Sequence, residues 1–280
     1  MMIKYPTIFR QWRAWISVVL WALLSIPIAP AGTPETVFFY NPESSVDNFA
    51  ALKAEFDDYL SKQGAYSFQP FSERNTFEVM LAGKPQGVYL LSSWHYLQLN
   101  AKTPLEAKLV GTAKGEPQQR KILTAKDIDN IPALAGATIA GAGSEDYLRS
   151  QLQQMLGASY AALMPKIKLL SVPKDIDALM AVSFGMASAA LSSENSLNKL
   201  ALINPKQHAQ LKTLASGEKS FLLIAAVAKP SQSDAQPLLK IIETMQQQPD
   251  GEKNLKMLGL DGWKRIDALD TSLVKQLRLP

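Results

Sequence analysis

A β-α-β-α-β pattern runs through residues 36–91 and returns through residues 137–191, and few folds are open to a chain that repeats such a unit. In the first copy, Thr36-Val37-Phe38-Phe39-Tyr40 is a β-branched and aromatic run ended by Asn41-Pro42, the composition of a buried strand. Ser44-Ser45-Val46-Asp47 then opens a helix as a capping-box variant. Phe49, Leu52, Phe56, Tyr59 and Leu60 follow at helical spacing until Gly64. Residues 66–70 form a second strand, 76–82 a short helix closed by Gly83, and 87–91 a third strand.

In the second copy, residues 137–140 are a strand, Gly141-Ala142-Gly143 a turn, and Ser144 the cap of a helix through Leu148, Leu152, Met155 and Leu156 that Gly157 ends. A strand at 167–170, a helix at 175–184 and a strand at 187–191 complete it. Helices alternating with short apolar strands predict a parallel sheet covered on both faces. Such units bind ligands outside the carboxyl ends of their strands. Two copies give two such edges facing one another across a cleft. The expected fold is α/β, with two Rossmann-like lobes.

Between the copies, residues 108–126 hold two strand-like pieces, 108–111 and 120–125; after the second copy, 221–227 is a strongly apolar run. These are the expected crossings between lobes. In the tail, Leu238, Ile241, Ile242 and Met245 share a helical face, and a further helix ends at Gly259. The expected organisation is residues 35–125 as the first part of lobe 1, 126–219 as lobe 2, and 220–280 as the hinge return with lobe 1's C-terminal helices.

The compartment is read from the start of the chain. Lys4, Arg10 and Arg13 precede sixteen uncharged residues, 14–29, and Ala29-Pro30-Ala31 offers small residues where a signal peptidase cuts. That run is shorter than the ~20 residues needed to span a bilayer. A signal peptide cleaved after Ala31 and a soluble periplasmic protein are therefore expected. There is no cysteine, hence neither disulfide nor lipid-modified cysteine. Removing residues 1–31 takes three basic and no acidic residues from 29 Lys+Arg and 25 Asp+Glu, so the remainder is near neutral. Nothing in it forms the basic, aromatic-laced groove of a nucleic-acid partner.

Several short stretches, in one order, resemble the type 2 periplasmic binding proteins. Leu81-Ala82-Gly83 is similar to their glycine-ended helix before the third strand. Leu134-Ala135-Gly136-Ala137-Thr138-Ile139-Ala140 is similar to their entry into the second lobe, and Ala181-Val182-Ser183-Phe184-Gly185 to a later helix end. Leu255-Lys256-Met257-Leu258-Gly259-Leu260-Asp261-Gly262-Trp263 resembles the C-terminal signature of the phosphate/phosphonate branch. The resemblance spans residues 35–275. It implies a clamshell of two lobes joined by two hinge crossings, and the substrate-binding subunit of an ABC transporter. A sensory or accessory protein that docks to a membrane receptor on the same scaffold is the alternative.

The departures concern the ligand. Where phosphonate binders carry a Ser-Thr-Ser-Gly turn, this chain has Gly143-Ser144-Glu145-Asp146; Ser188 replaces an acid, and Ser92-Ser93 replaces a Gly-Pro. Two carboxylates beside the turn oppose a bound anion there. Simple phosphate and alkylphosphonates are therefore expected to bind weakly, and a neutral or amine-bearing solute touching Trp94 and Ser144 to bind better.

The candidate ligand-binding residues lie at strand ends. Tyr40 and Asn41 follow the first strand, as an aromatic wall plus an amide or as a plain turn. Ser92, Ser93 and Trp94 follow the third, as polar and aromatic contacts or as a helix cap and a packing ring. Ser144 caps its helix on either reading, with Glu145 beside it, and Ser192 faces the same cleft by symmetry. Catalytic chemistry is thin: two histidines and no cysteine, with no zinc-protease, nucleophile-elbow or P-loop motif. The expected protein is a monomer that is not an enzyme, holds no cofactor or metal, and has a small molecule and a membrane permease or receptor as partners.

Overall fold

The computed structural model describes residues 35–41, 46, 48–83, 86–100, 102–229 and 235–275. The expected leader lies outside them, as do Ser44, Ser45 and Asp47 of the expected capping box. The first repeat folds as β1 (Glu35–Tyr40), α1 (Phe49–Ser61), β2 (Tyr66–Pro70), α2 (Arg74–Ala82) and β3 (Gly87–Ser92), followed by α3 (Ser93–Asn100) and β4 (Leu105–Thr112). The second lobe begins with β5 (Gln118–Ala125), then β6 (Thr138–Ala142), α4 (Glu145–Leu156), β7 (Lys168–Val172), α5 (Asp175–Ser183) and β8 (Ala189–Ser193). It ends with α6 (Glu194–Ile203), α7 (Pro205–His208) and β9 (Lys212–Phe221). The return holds β10 (Leu223–Ala228), α8 (Gln236–Glu243), α9 (Pro249–Met257), β11 (Gly262–Arg265) and α10 (Thr271–Lys275).

The strands form two sheets, in the orders β11-β4-β10-β3-β1-β2 and β7-β6-β8-β5-β9. Each has the parallel core that the repeat dictates, β2-β1-β3 and β7-β6-β8. The remaining pairs are antiparallel, so the sheets are mixed rather than parallel throughout. Four of the five added strands, β4, β5, β9 and β10, flank the two segments that carry the chain between lobes, and β11 comes from the C-terminal return.

Strand β1 shows why the sequence is apolar throughout. Val37 and Phe39 enter one core, beside Phe56 and Phe68, whose rings stack at 4.2 Å. Phe38 and Tyr40 enter the opposite core with Phe77 and Tyr89. A strand covered on both faces has no polar side to show. In the second lobe, Ile139 and Ala140 likewise divide between two cores.

Among the boundaries that differ from the sequence reading, four bear on how the lobes are built. Helix α1 starts at Phe49, because Asn48 Oδ1 accepts the Ala51 N–H at 2.9 Å and acts as its cap. Gly141 and Ala142 belong to β6, not to a turn. Strand β8 begins at Ala189, because the Met186 and Ala187 N–H groups still bond the Ala181 carbonyl at the end of α5. Strand β5 pairs within the second sheet, so the first change of sheet falls at residues 113–117 and not at 125.

The two crossings lie side by side. The turn after β4 closes through Ala113 and Glu116, with Lys114 at φ 54° and Gly115 at φ 75°. The Asp261 carboxylate holds it, accepting from Thr112 Oγ1 at 2.6 Å and from the Gly115 N–H at 2.9 Å. Between β9 and β10 only Leu222 intervenes, and its N–H donates to the Pro117 carbonyl at 3.1 Å. Two short, mutually bonded crossings form a hinge with little slack.

Candidate functional site

The carboxyl ends of β1, β3, β6, β7 and β8 meet where the lobes face one another, and two cavities open there. The first, of about 450 Å³, is lined by Tyr40 and Asn41 after β1, Ser72 after β2, and Ser144 and Ser171 from the second lobe. The second, of about 300 Å³, lies against the crossing at Leu222, with Asn41, Lys174, Ser193 and Lys199 on its walls. Asn41 borders both, which makes them two halves of one cleft.

At the first cavity, Ser144 Oγ accepts the Tyr147 N–H at 3.3 Å and so caps α4. The first-turn N–H groups of that helix have no intrahelical acceptor and carry the positive end of its dipole. Ser171 Oγ donates to the Gly143 carbonyl at 2.5 Å and ties the end of β7 to the turn. Among the described residues, no lysine, arginine, aspartate or glutamate lines this cavity. Glu145 pairs with Arg149 on its own helix at 2.8 Å, and Asp146 lies 3.8 Å from Arg74 of the first lobe. Each carboxylate thus has a cation beside it and borders neither cavity, which removes the basis for the anion repulsion expected from the sequence.

Trp94 bridges the lobes. It stands in α3 of the first lobe, yet its Nε1 donates to Ser150 Oγ on α4 at 2.9 Å, and its ring meets Tyr147 edge-on at 5.4 Å. The Arg74 guanidinium lies over the same indole, 5.2 Å from its centre. Trp94 therefore packs against the second lobe's core rather than lining a cavity with Ser144. One hydrogen bond, one aromatic pair and one exposed ion pair together contribute ~2–3 kcal/mol to closure.

Behind Trp94 lies a polar cluster that the sequence reading missed. Glu78 Oε1 accepts from Arg74 Nε at 2.6 Å and faces His95 Nε2 at 3.0 Å. His95 is fully buried against Tyr40 and Phe77. Burial pulls its pKa down to about 4, against the opposing pull of Glu78. Burial pushes the Glu78 carboxyl up, but the hydrogen bonds from Arg74 and His95 outweigh it and leave its pKa below the ordinary value. Burial raises the Tyr40 phenol.

Of the expected residues, Tyr40, Asn41 and Ser144 line the first cavity together. Ser92 is buried, its Oγ accepting the His95 N–H at 3.2 Å, and Ser93 Oγ donates to the Phe221 carbonyl at 2.9 Å; both serve structure behind the cleft. Glu145 points to Arg149, as above. Ser192 is fully buried within β8 and borders neither cavity, while Ser193, one residue on, caps α6 and lines the second. Lys121 and Asp175 also escaped the sequence reading. Lys121 is buried and lies 3.2 Å from both carboxylate oxygens of Asp175, which also accepts the Ser193 N–H at 2.7 Å.

This fold and cleft define the class of two-lobed type 2 periplasmic binding proteins. A Xanthomonas citri protein solved bound to ATP superposes with a TM-score of 0.63 at 12% identity, covering 88% of this chain and 94% of its own. PhnD1 of Prochlorococcus marinus, in complex with methylphosphonate, gives 0.60 at 12%, covering 87% and 95%. A binding protein component of a Pseudomonas aeruginosa ABC phosphonate transporter gives 0.58 at 15%, covering 87% and 85%. No curated protein matches the chain. The model of the family described as "ABC transporter, phosphonate, periplasmic substrate-binding protein" matches residues 38–271, and this chain belongs to that family. The family resemblance and the fold expected from the sequence are thereby borne out. Members bind small ligands in the periplasm and work with ABC-transporter permeases. Among the described residues, no helix is long and apolar enough to cross a membrane.

Proposed function

We propose that this protein is exported by its leader, released after Ala31, and acts as a monomeric, non-catalytic solute-binding subunit that closes on one small solute and presents it to a permease. The observation that supports this most is Asn41. It borders both halves of a cleft lined from both lobes at the carboxyl ends of the parallel strands, where open α/β sheets take their ligands. A solute there touches both lobes and selects the closed form.

The test is calorimetry of the exported protein with a panel of phosphate, methylphosphonate, 2-aminoethylphosphonate, acetate, hexanoate, glucose and glycerol. At least one compound is expected to bind at one site per chain with micromolar or tighter affinity. Asn41→Leu is expected to weaken it tenfold or more, since it removes the amide common to both cavities. Absence of binding across the panel, or indifference to the substitution, would count against the reading.

A further inference from the structure

Five large apolar side chains among the described residues stand open to solvent, and four of them come from the ends of two neighbouring helices. Phe184 (69% exposed) and Met186 (62%) follow α5, and Leu202 (84%) and Ile203 (61%) end α6. The two helices start side by side at the cleft, where the Asp175 carboxylate at the head of α5 accepts the Ser193 N–H at the head of α6. Both pack on one face of the second sheet, around Ala178, Leu179, Val182 and Leu200. They are nine and ten residues long, so they end together about 14 Å further on, at the end of lobe 2 away from the cleft. The turn after α5 is fixed. The Met186 N–H donates to the Ala181 carbonyl at 2.9 Å and the Gly185 N–H to that of Val182 at 3.1 Å, with Gly185 at φ 73°. An apolar contact frequently covers such a helix end, but its counterpart here is the short, buried Ala181, and Met186 is left in solvent.

Charge is sorted along the same axis. Glu145, Asp146, Asp175, Asp177 and Glu194 occupy first turns at the cleft end, as the helix dipole favours. At the far end Lys126, Lys166, Lys168, Lys206 and Lys212 stand against Asp127 and Asp129. A row of backbone hydrogen bonds marks that edge: Lys168 N–H to the Ala137 carbonyl, Ser188 N–H to that of Thr138, and Lys126 N–H to that of Ser188, at 2.9–3.2 Å. Asp129 pairs with Lys212, while the other four lysines form no ion pair with a described residue. Strand alternation sends Lys168 to the face of Leu170, which packs in the core under α5. Lys126 follows Ala125, which enters the opposite core, and so turns to the same face. Lys206 lies three residues beyond Ile203. Unpaired cations thus rim the apolar tips.

We propose that this end of lobe 2 docks on an anionic phospholipid surface. Phe184, Met186, Leu202 and Ile203 enter between the headgroups, and Lys126, Lys168 and Lys206 pair with their phosphates. Charge decides between a lipid surface and a second copy of the chain. Two copies meeting here would bring their unpaired lysines together, whereas anionic headgroups neutralise them. None of these residues borders either half of the cleft, so a docked protein keeps its solute site free. The surface would hold the protein on the membrane that carries its permease, whatever solute the cleft takes.

The experiment sediments the exported protein, freed of its leader, with vesicles of equal parts phosphatidylglycerol and phosphatidylcholine and with vesicles of phosphatidylcholine alone. Partitioning onto the anionic vesicles is expected to be at least tenfold stronger and to fall steeply at ~0.5 M salt. The double variant Phe184→Ser/Leu202→Ser should weaken it tenfold or more. Lys168→Gln/Lys206→Gln should do the same, since each lysine near an anionic surface adds roughly fivefold. Val79→Ser, which removes the fifth exposed side chain, on α2 of lobe 1, should change it less than twofold. All five positions are exposed, so the fold is retained, and solute binding by calorimetry should persist in every variant. Equal partitioning onto the two vesicles, or a loss in Val79→Ser as large as in the Phe184 variant, would overturn the proposal. Self-association at sedimentation equilibrium that the Phe184 variant abolishes, with both vesicles unbound, would overturn it too and assign the surface to a second copy. Loss of solute binding alone would bear on the cleft and not on this surface.

Discussion

Gly87→Ala is expected to cost more than about 4 kcal/mol and to leave the first lobe unfolded or barely folded. Gly87 opens β3 at φ 146°, a conformation that residues with a Cβ rarely adopt, and strain of this kind costs ~1–3 kcal/mol. A Cβ there would lie 2.0 Å from the Thr36 carbonyl oxygen and 3.0 Å from its carbon. Those are backbone atoms of the neighbouring strand, paired with Gly87 in register, so no rotamer change relieves the overlap. Relief requires β1 to part from β3 at the centre of the sheet, where Val37, Phe39, Val88 and Leu90 build the core. Whole domains are stable by only ~5–15 kcal/mol, so one such clash takes a large share. Gly115→Ala is the control. Its φ of 75° is also left-handed, but nothing lies within 4 Å of the added Cβ, and the cost should be ~1 kcal/mol. Urea denaturation of both variants decides it; equal, small losses would show that β1 and β3 do not approach as described.

Acid is expected to remove about 3 kcal/mol of stability between pH 6.5 and pH 4, through His95. In the unfolded chain its imidazole titrates near 6.5. In the folded protein it lies buried and its pKa falls to about 4. Between those values the unfolded state takes up a proton that the folded state refuses, so stability falls as pH falls, by ~1.4 kcal/mol per unit. The contribution is complete above pH 6.5 and gone near pH 4. Glu78, with its pKa below the ordinary value, acts in the same direction at the lower end of the range. His95→Gln should flatten the profile over this window even if it lowers stability at pH 7. The measurement is the urea midpoint of both proteins at pH 7.0, 5.5 and 4.5; parallel profiles would mean that His95 is protonated in the folded state.

Much of the fold was legible because its periodicity is strong. Strand β1 is apolar on both faces, and helix α4 carries Leu148, Leu152 and Leu156 between Ser144 and Gly157, so the repeat stands out of the sequence. Strand β9 did not, because Lys212–Phe221 is an edge strand paired on one side only, and its polar residues meet solvent. At the cleft, Tyr40, Asn41 and Ser144 were legible because strand ends and helix caps leave local signals. Ser192 was placed one residue out. Side chains alternate across a strand, and a shift of one residue exchanges the buried and the facing position, leaving Ser193 at the cavity. Arg74, Lys121, Lys174 and Lys199 carry no local signal. Each is one cation among 29, and its place at the cleft is set by tertiary packing alone.

The chain has no cysteine, so two introduced thiols can report directly on the relation of the lobes. Ala65 precedes β2 in the first lobe and Gln154 lies on α4 in the second; both are exposed. Spin labels at Ala65→Cys and Gln154→Cys give the distance between lobes by pulsed electron resonance. The ~2–3 kcal/mol of contacts made through Trp94 are opposed by the desolvation and side-chain ordering that closure costs, so without solute a broad distribution that includes open forms is expected. With the tightest binder of the calorimetric panel at saturation, the distribution should collapse to one narrow population at the short end. A distribution that is narrow beforehand and unchanged at saturation would contradict closure on a solute.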